Sequence, residues 1–361
     1  MPLPRVLWSC VLGVGLTAPA LPAERRPDPA AVPARPESAP GLHYRFQKVA
    51  EGVFCALPGG TAYYVSNSVV IVGEDGVLLV DSGAGPNEAR VLREGIRTLT
   101  DRPVRYVVDT HFHFDHAFGH QAFPEALVVG HDATRDLLGP DALRGPTVSG
   151  YLASLPAQIN NAREEAGHAA DPAKRRELEE RVTSLGAYQQ ELSQFVPTAP
   201  SLTFSDSMTI WLGRREVRLL HLGRGHTAGD LVVHLPQDRV VCTGDLFNGY
   251  IGYMGDAYVD EWAASLGRLA GLDFETVIAG HGEPFKGKEA IGPVQACLRE
   301  LWRQAEQQKQ AGASAEEAAR RIDLRVHASR FPRLSQVGFE PMAVRRVYQV
   351  LDERASAGGA R

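Results

Sequence analysis

Short apolar runs separated by turn residues dominate the chain from about residue 43. AYYV (62–65), SVVIVG (68–73) and VLLVD (77–81) are β-branched-rich, and the turn EDG (74–76) joins the last two, so a hairpin-rich sheet is expected over 43–81. The period changes over 87–99, where Val91, Leu92, Ile96 and Leu99 recur at helical spacing and predict one buried stripe. RYVVDT (105–110) and ALVVG (126–130) read as strands again, the second followed by a short helix. Residues 155–196 are different. Asp171 and Pro172 form a helix start, and only Gly186 interrupts the helical pattern that follows, which predicts a helical insertion. Strands return at TFSD (203–206), MTIWLG (208–213), EVRLLHLG (216–223), DLVVHL (230–235) and RVVCTGD (239–245). A helix over 261–272, the strand TVIAGH (276–281) and helices from about 289 onward complete the pattern. Strands and helices mix in both halves, which predicts an α/β protein with two sheets covered by outer helices.

The length of 361 residues, with 44% hydrophobic and 22% charged residues, suits one large domain with a smaller accessory region. The formal net charge of −5 and the lack of a long basic run argue against a nucleic-acid partner. In residues 1–23, Arg5 precedes an apolar stretch that ends in Ala18, Ala20 and Ala23, the pattern of a signal peptide, so a periplasmic or secreted protein without a transmembrane anchor is expected. Residues 24–41 read as a flexible linker, 42–288 as the main domain with its insertion at about 155–196, and 289–361 as a C-terminal helical extension. The cysteines at 10, 55, 242 and 297 are scattered and make no disulfide framework, and Cys242 sits inside a strand pattern as a core residue.

The candidate chemistry begins at THFHFDH (110–116). If the preceding strand continues, its alternation points His111 and His113 the same way and Phe112 and Phe114 the other, with Asp115 and His116 just beyond. Three later segments supply similar groups, each just past an apolar run: His226 in GRGHTAGD (223–230), Asp245 ending VVCTGD and His281 in VIAGHG. Burying so many ionisable groups without a metal is costly. Together they suggest His111, His113 and His226 for one ion, Asp115, His116 and His281 for a second, and Asp245 as a bridge. Imidazoles with a shared carboxylate suit zinc, while iron and manganese also accept such ligands.

With these segments in order, the sequence resembles the metallo-β-lactamase-fold hydrolases, from about Tyr63 to Gly282. The matching elements are VLLVDSG around Asp81, the run His111–His116, GRGHTAGD, GD at Asp245 and GHG at His281. The resemblance implies an αββα sandwich of two mixed sheets, with a metal pair in a cleft between the sheet edges and Asp81 beside the site without being a ligand. Asp245 looks more like the glyoxalase II and lactonase pattern than the lactamase branch with a cysteine ligand there. Two departures stand out: 110 residues separate His116 from His226, and the tail after His281 lacks an evident basic cluster. The expected function is a zinc-dependent hydrolase whose metal-bound hydroxide cleaves a cyclic amide, lactone, ester or thioester, with a β-lactam a leading candidate. Asp115 would orient the hydroxide and relay its proton. Asn248 would donate to the oxyanion, and Tyr250, Tyr253 and Met254 would form an apolar wall. Arg224 would meet an anionic substrate or stay solvated, and His120, His131 and His221 would be structural. The alternative is a metal-binding protein or hydrolase serving a periplasmic redox or cofactor-assembly system. A redox di-iron relative would be expected to carry a carboxylate where this chain has His113.

Overall fold

The computed structural model describes residues 43–59, 66–139, 145–193 and 195–358. The leader over 1–23, the linker over 24–41 and the strand expected at AYYV lie outside the described residues.

The first sheet holds β1 (His43–Ala50), β2 (Val53–Gly59), β3 (Ser68–Val72), β4 (Val77–Val80), β5 (Val104–Val108), β6 (Leu127–His131) and β7 (Leu202–Phe204), side by side in chain order. Pairs from β1 to β4 are antiparallel, and those from β4 to β7 are parallel. The second sheet places β8 (Ser207–Leu212), β9 (Arg215–Leu220), β10 (Val232–Leu235), β11 (Val240–Gly244), β12 (Thr276–Ala279) and β13 (Phe285–Lys286) in order, with only the β11–β12 pair parallel among them. The helices are α1 (Pro86–Leu99), α2 (Phe114–Ala117), α3 (Asp132–Leu137), α4 (Pro146–His168), α5 (Pro172–Leu192), α6 (Val259–Ala270), α7 (Ile291–Gln310), α8 (Ala315–Arg321) and α9 (Pro341–Gly358). Parallel neighbours need a crossover, and α1 supplies it between β4 and β5, as α6 does between β11 and β12.

The two sheets pack face to face through Val53, Ile71, Leu78 and Val80 on one side and Leu219, Val233, Cys242 and Ile278 on the other. Ala89, Leu92 and Ile96 of α1 cover the outer face of the first sheet. Helices α6 and α7 cover the second. This is an αββα sandwich. Strands β4, β10 and β11 are buried at every position, which is why their sequences are continuous apolar runs and not alternating ones.

Three local readings differ from the pattern-based ones. The α1 stripe is Ala89, Leu92 and Ile96, with Val91 and Leu99 only half-buried, because the helix starts at Pro86 and rotates that face inward. Strand β5 ends at Val108, so the histidine run is a loop leading into α2. Helix α4 starts at Pro146, before residue 155. Gly150 weakens the helical pattern before residue 155, but Val148, Leu155 and Ile159 bury against Phe112 and Phe118 and override it, with Pro156 carried inside the helix. Asp171 caps α5 by accepting from the Ala173 N–H at 3.0 Å, and α5 continues through Gly186.

Candidate metal centre

Four loops at the ends of strands bring the chemistry-bearing side chains together: 109–116 after β5, 221–231 after β9, 245–258 after β11 and 280–284 after β12. Their mutual approach demands residues without side chains. A Cβ on Gly280 would stand 2.1 Å from Asp245 Oδ1, and one on Gly244, whose φ is 47°, would stand 2.4 Å from Thr110 Oγ1. The loops are also tied to each other. Leu231 N–H donates to Thr110 O at 2.7 Å, Ser66 Oγ to Asp115 O at 2.7 Å, and Asn67 Nδ2 to Ala279 O at 3.0 Å and Gly282 O at 2.6 Å.

Three groups of ligand-type atoms result: His111, His113 and His226; His111, His116 and Asp245; and Asp115, His116 and His281. In each group the atoms lie within 4.8 Å of one another. Asp245 stands between the halves, with Oδ2 3.5 Å from His226 Nε2 and 3.4 Å from His281 Nε2, and Oδ1 3.6 Å from His116 Nε2. Asp115 Oδ2 is 3.3 Å from His281 Nε2.

The outer nitrogens of these rings fix which lone pairs face inward. His116 Nδ1 meets Asp81 Oδ2 at 2.7 Å, so it carries the proton and Nε2 is left as a lone pair. Thr110 Oγ1 donates to Asp81 Oδ2 at 2.8 Å and therefore accepts from His111 Nδ1 at 3.1 Å, leaving His111 Nε2 bare. His226 Nδ1 donates to Tyr253 O at 3.1 Å, and His113 Nε2 faces Asp256 Oδ2 at 2.9 Å. His226 Nε2 and His113 Nδ1 then confront each other as lone pairs at 3.0 Å. His111 Nε2, His116 Nε2 and Asp245 Oδ1 are buried with no hydrogen-bond partner. Converging bare lone pairs in a buried site are costly unless a cation sits among them. The donor set therefore fits one or two divalent ions of the zinc type.

The electrostatics agree at His111, His226 and Asp245. Burial, reinforced by the neighbouring imidazoles, pushes His111 well below its ordinary pKa. Burial likewise dominates at His226 and takes it down to about 3 despite Asp245. Both rings are neutral near pH 7, as ligands must be. Burial works against the Asp245 carboxylate, but His281, His116 and His226 outweigh it and hold it well below the usual range. At His116 burial is outweighed by Asp115 and Asp81, which lift it to about 9, so near pH 7 its Nε2 offers a lone pair only where a cation displaces the second proton.

Supporting residues complete the site. Asp81 adopts the left-handed backbone region at φ 57° at the end of β4, where it accepts from Thr110 N–H at 2.8 Å and orients His116. Asp230 accepts from Thr227 N–H at 3.0 Å and Oγ1 at 2.6 Å, folding the glycine-rich loop that carries His226, while burial raises its pKa to about 7. His120 pairs with Asp109 at 2.7 Å, and His131 stacks on His221 at 4.1 Å, both away from the ligand groups.

Sequence reasoning missed Asp256 and Thr147. Thr147 Oγ1, at the start of α4, donates to Asp256 Oδ2 at 2.6 Å, and the same carboxylate holds His113. Nothing in the local pattern pairs residues more than a hundred positions apart. The rim differs from expectation at Met254 and Arg224. Met254 is 1% exposed and belongs to the core under the second sheet, so it forms no wall. Arg224 is engaged by Glu261 and lies over the Tyr258 ring at 3.9 Å, with its side chain still partly in solvent. Tyr253 touches the site through its ring, 5.5 Å from that of His113, and through its carbonyl. Asn248 is nearly buried, and its Oδ1 accepts from His281 N–H at 3.2 Å. Cys55, Cys242 and Cys297 are free and buried, and burial holds the Cys242 thiol well above its ordinary pKa.

A family model described as the metallo-beta-lactamase superfamily matches residues 63–281. A linear primary-alkylsulfatase of Pseudomonas sp. (strain ATCC 19151) is 25% identical over 294 residues, 78% of this chain and 54% of its own. A type 2 metallo-beta-lactamase of Elizabethkingia meningoseptica is 30% identical over 95 residues, 25% of this chain and 38% of its own. The chain thus spans about half the length of the first relative and less of the second. Among solved structures, a double mutant of the sec-alkyl sulfatase PisA1 aligns with a TM-score of 0.58 at 15% identity, covering 85% of this chain and 50% of that one. A metallo-beta-lactamase from Pontibacter korlensis aligns at 0.50 and 19% identity, covering 71% of this chain and 99% of that one. At these identities the structural likeness speaks for the fold.

Proposed function

The chain belongs to the metallo-beta-lactamase superfamily, and from that premise we propose that it is a dinuclear, zinc-dependent hydrolase of an acyl bond in a small molecule: a β-lactam or other cyclic amide, a lactone, an ester or a thioester. The observation that carries this reading is the set of bare, buried lone pairs on His111, His116 and Asp245, beside the facing His113 and His226 nitrogens. His111, His113 and His226 would hold one ion and Asp115, His116 and His281 the other, with the Asp245 carboxylate placed between the two groups. Zinc bound there supplies a water acidified to near-neutral pKa and a Lewis acid for the scissile group.

The chain's own groups do the rest. Asp115 Oδ2 faces the same space as His281 Nε2 and takes the proton of the attacking water, passing it to the leaving group. Asn248, its carboxamide oxygen held by His281 N–H, keeps Nδ2 as the donor to the developing oxyanion. Asp81 and Asp256 hold the His116 and His113 rings in the tautomers that the ligand role needs. No cysteine nucleophile serves, because burial holds every described thiol protonated.

A second reading is hydrolysis of an alkyl sulfate ester. It is favoured by the alkylsulfatase relative, whose match extends over three times as much of this chain as the lactamase's. The signal-peptide pattern of residues 1–23 supports a periplasmic or secreted location. No helix among the described residues is long and apolar enough to cross a membrane.

The test is turnover of a chromogenic cephalosporin, a lactone, a thioester and a linear alkyl sulfate by the zinc-loaded chain, with and without a chelator. Chelator-sensitive cleavage of one of the first three supports the acyl reading, and cleavage of the sulfate alone replaces it with the second. Zinc-bound protein inert on all four would sink both.

A further inference from the structure

Outside the ligand cage, a cleft of 1280 Å³ lies between the loop that follows Asp245 and the C-terminal region, above the roughly 300–1000 Å³ of ordinary small-molecule sites. One wall is Gly249–Gly252, and the other is built from the end of α8 and from residues 330–341. Its lining combines two chemistries. Tyr250 is 41% and Val337 50% exposed, and Phe331 and Leu334 lie behind them, giving an apolar floor open to solvent. Three arginines, Arg320 at the end of α8 and the neighbouring Arg330 and Arg333, stand around that floor. Arg330 and Arg333 have no ion-pair partner among the described residues, and of the two carboxylates on the walls, Glu316 is already paired with Arg345 at 2.7 Å. Arg330 and Arg333 are already neighbours in the sequence, and folding brings Arg320 to the same cleft.

The cleft and the ligand cage share a wall. Within 245–253, Asp245 is a ligand-type residue, Asn248 accepts from His281 N–H, Gly249–Gly252 line the cleft, and the Tyr253 carbonyl holds His226. A Cβ on Gly252 would stand 3.8 Å from Asn248 Nδ2, so the proposed oxyanion donor lies next to a residue of the cleft wall.

We propose that this cleft binds the non-reacting end of the substrate, and that this end is an apolar chain or ring bearing an anionic group, a carboxylate or a sulfate. The assignment rests on the hydrolase reading. Guanidinium forks match the planar or tetrahedral oxyanion, and the apolar floor takes the hydrocarbon. A neutral polar substrate would leave both features unused, and a purely apolar one would leave the arginines unused.

The experiment is calorimetric binding of decanoate to the full chain, zinc-loaded and after chelation, for the wild type, for Arg330→Gln/Arg333→Gln and for Val337→Asp. All three positions are exposed, so folding should survive, and melting curves check it. Decanoate should bind both zinc-loaded and chelated protein, and each variant should weaken it by about tenfold or more. Binding that disappears on chelation would mean the carboxylate sits on the metal and would overturn the cleft. Binding unchanged by the variants would overturn it too. In the turnover assays decanoate should raise KM without lowering kcat, and a purely noncompetitive effect would overturn the distal-end assignment. Zinc-loaded protein that binds decanoate in this way yet hydrolyses nothing separates the two ideas, since the amphiphilic-anion site then stands while the hydrolase reading falls.

Discussion

The α4–α5 hairpin and the terminal helices α7–α9 are both helical additions to the sandwich, and both touch the 245–258 loop, but they do so with different consequences. The hairpin buries Leu155, Ile159, Leu185 and Tyr188 in a cluster of its own, whose other half is Phe112 and Phe118 from around the histidine run. The Thr147 hydroxyl reaches Asp256, and through it His113. The terminal helices instead merge with α6 and the second sheet in one core, where Leu301 and Val344 are fully buried, and they touch the loop through Arg346 Nε to Ala257 O at 3.1 Å. One addition is coupled to ligand orientation and weakly to the main core. The other is coupled to the main core and forms the outer cleft.

The largest expected effect removes the object both additions surround. His226→Ala should lower bound zinc from two ions to one and reduce turnover roughly a thousandfold, since the metal contributes several kcal/mol of transition-state stabilisation. Elemental analysis and kinetics check this, and an unchanged zinc count breaks the ligand assignment.

Next come two leucines, both fully buried. Leu301→Ala should cost about 2–5 kcal/mol of global stability in denaturant unfolding. Leu155→Ala should cost less globally but speed hydrogen exchange across 146–192. Equal global losses would merge the two clusters into one core and erase the contrast.

A finer test sets the polar links against each other. Asp256→Asn should weaken zinc about 10–100-fold by depriving His113 Nε2 of its carboxylate, and Thr147→Val should act in the same direction more weakly. Arg346→Gln, on the other side of the loop, should leave zinc affinity unchanged. If it matters as much as Asp256, ligand orientation is not a property of the hairpin side.

The smallest effect is a pH dependence at the hairpin's footing. Tyr188 Oη donates to Ala84 O at 2.8 Å and Glu191 Oε1 accepts from Asn87 N–H at 2.6 Å, beside Glu88, which accepts from Ala84 N–H and the Tyr44 hydroxyl. Burial raises Glu88 from 4.5 to about 8 and raises Glu191 as well. Between those two values the folded chain keeps a proton that the unfolded chain has released, so stability falls as pH rises through the window. Melts between about pH 5 and 8 should show that slope, reduced in Glu88→Gln. A slope untouched by the substitution places its origin elsewhere.

Much of this could be read before folding. Continuous apolar runs belong to strands covered on both faces, so the sandwich follows from VLLVD, DLVVHL and RVVCTGD. The ligand-type residues stand just past such runs, because strand ends are where loops converge. Local reading failed where tertiary packing overruled propensity. The sequence pattern starts the helical insertion at about residue 155, yet the hairpin's buried face extends the helix back to Pro146 through Gly150. Met254 looked like a rim residue and is core.

By itself, the sequence determined which side chains can donate lone pairs and on which strand ends they stand, because residue identity and short-range period are local properties. Only the tertiary structure decided that Asp256 holds His113, that Thr147 from a distant helix holds Asp256, and that three arginines share one cleft. Asp256, His113 and Thr147 come from separate segments of the chain, as Arg320 does from Arg330 and Arg333, and their contact energies exist only once the sheets have brought those segments together.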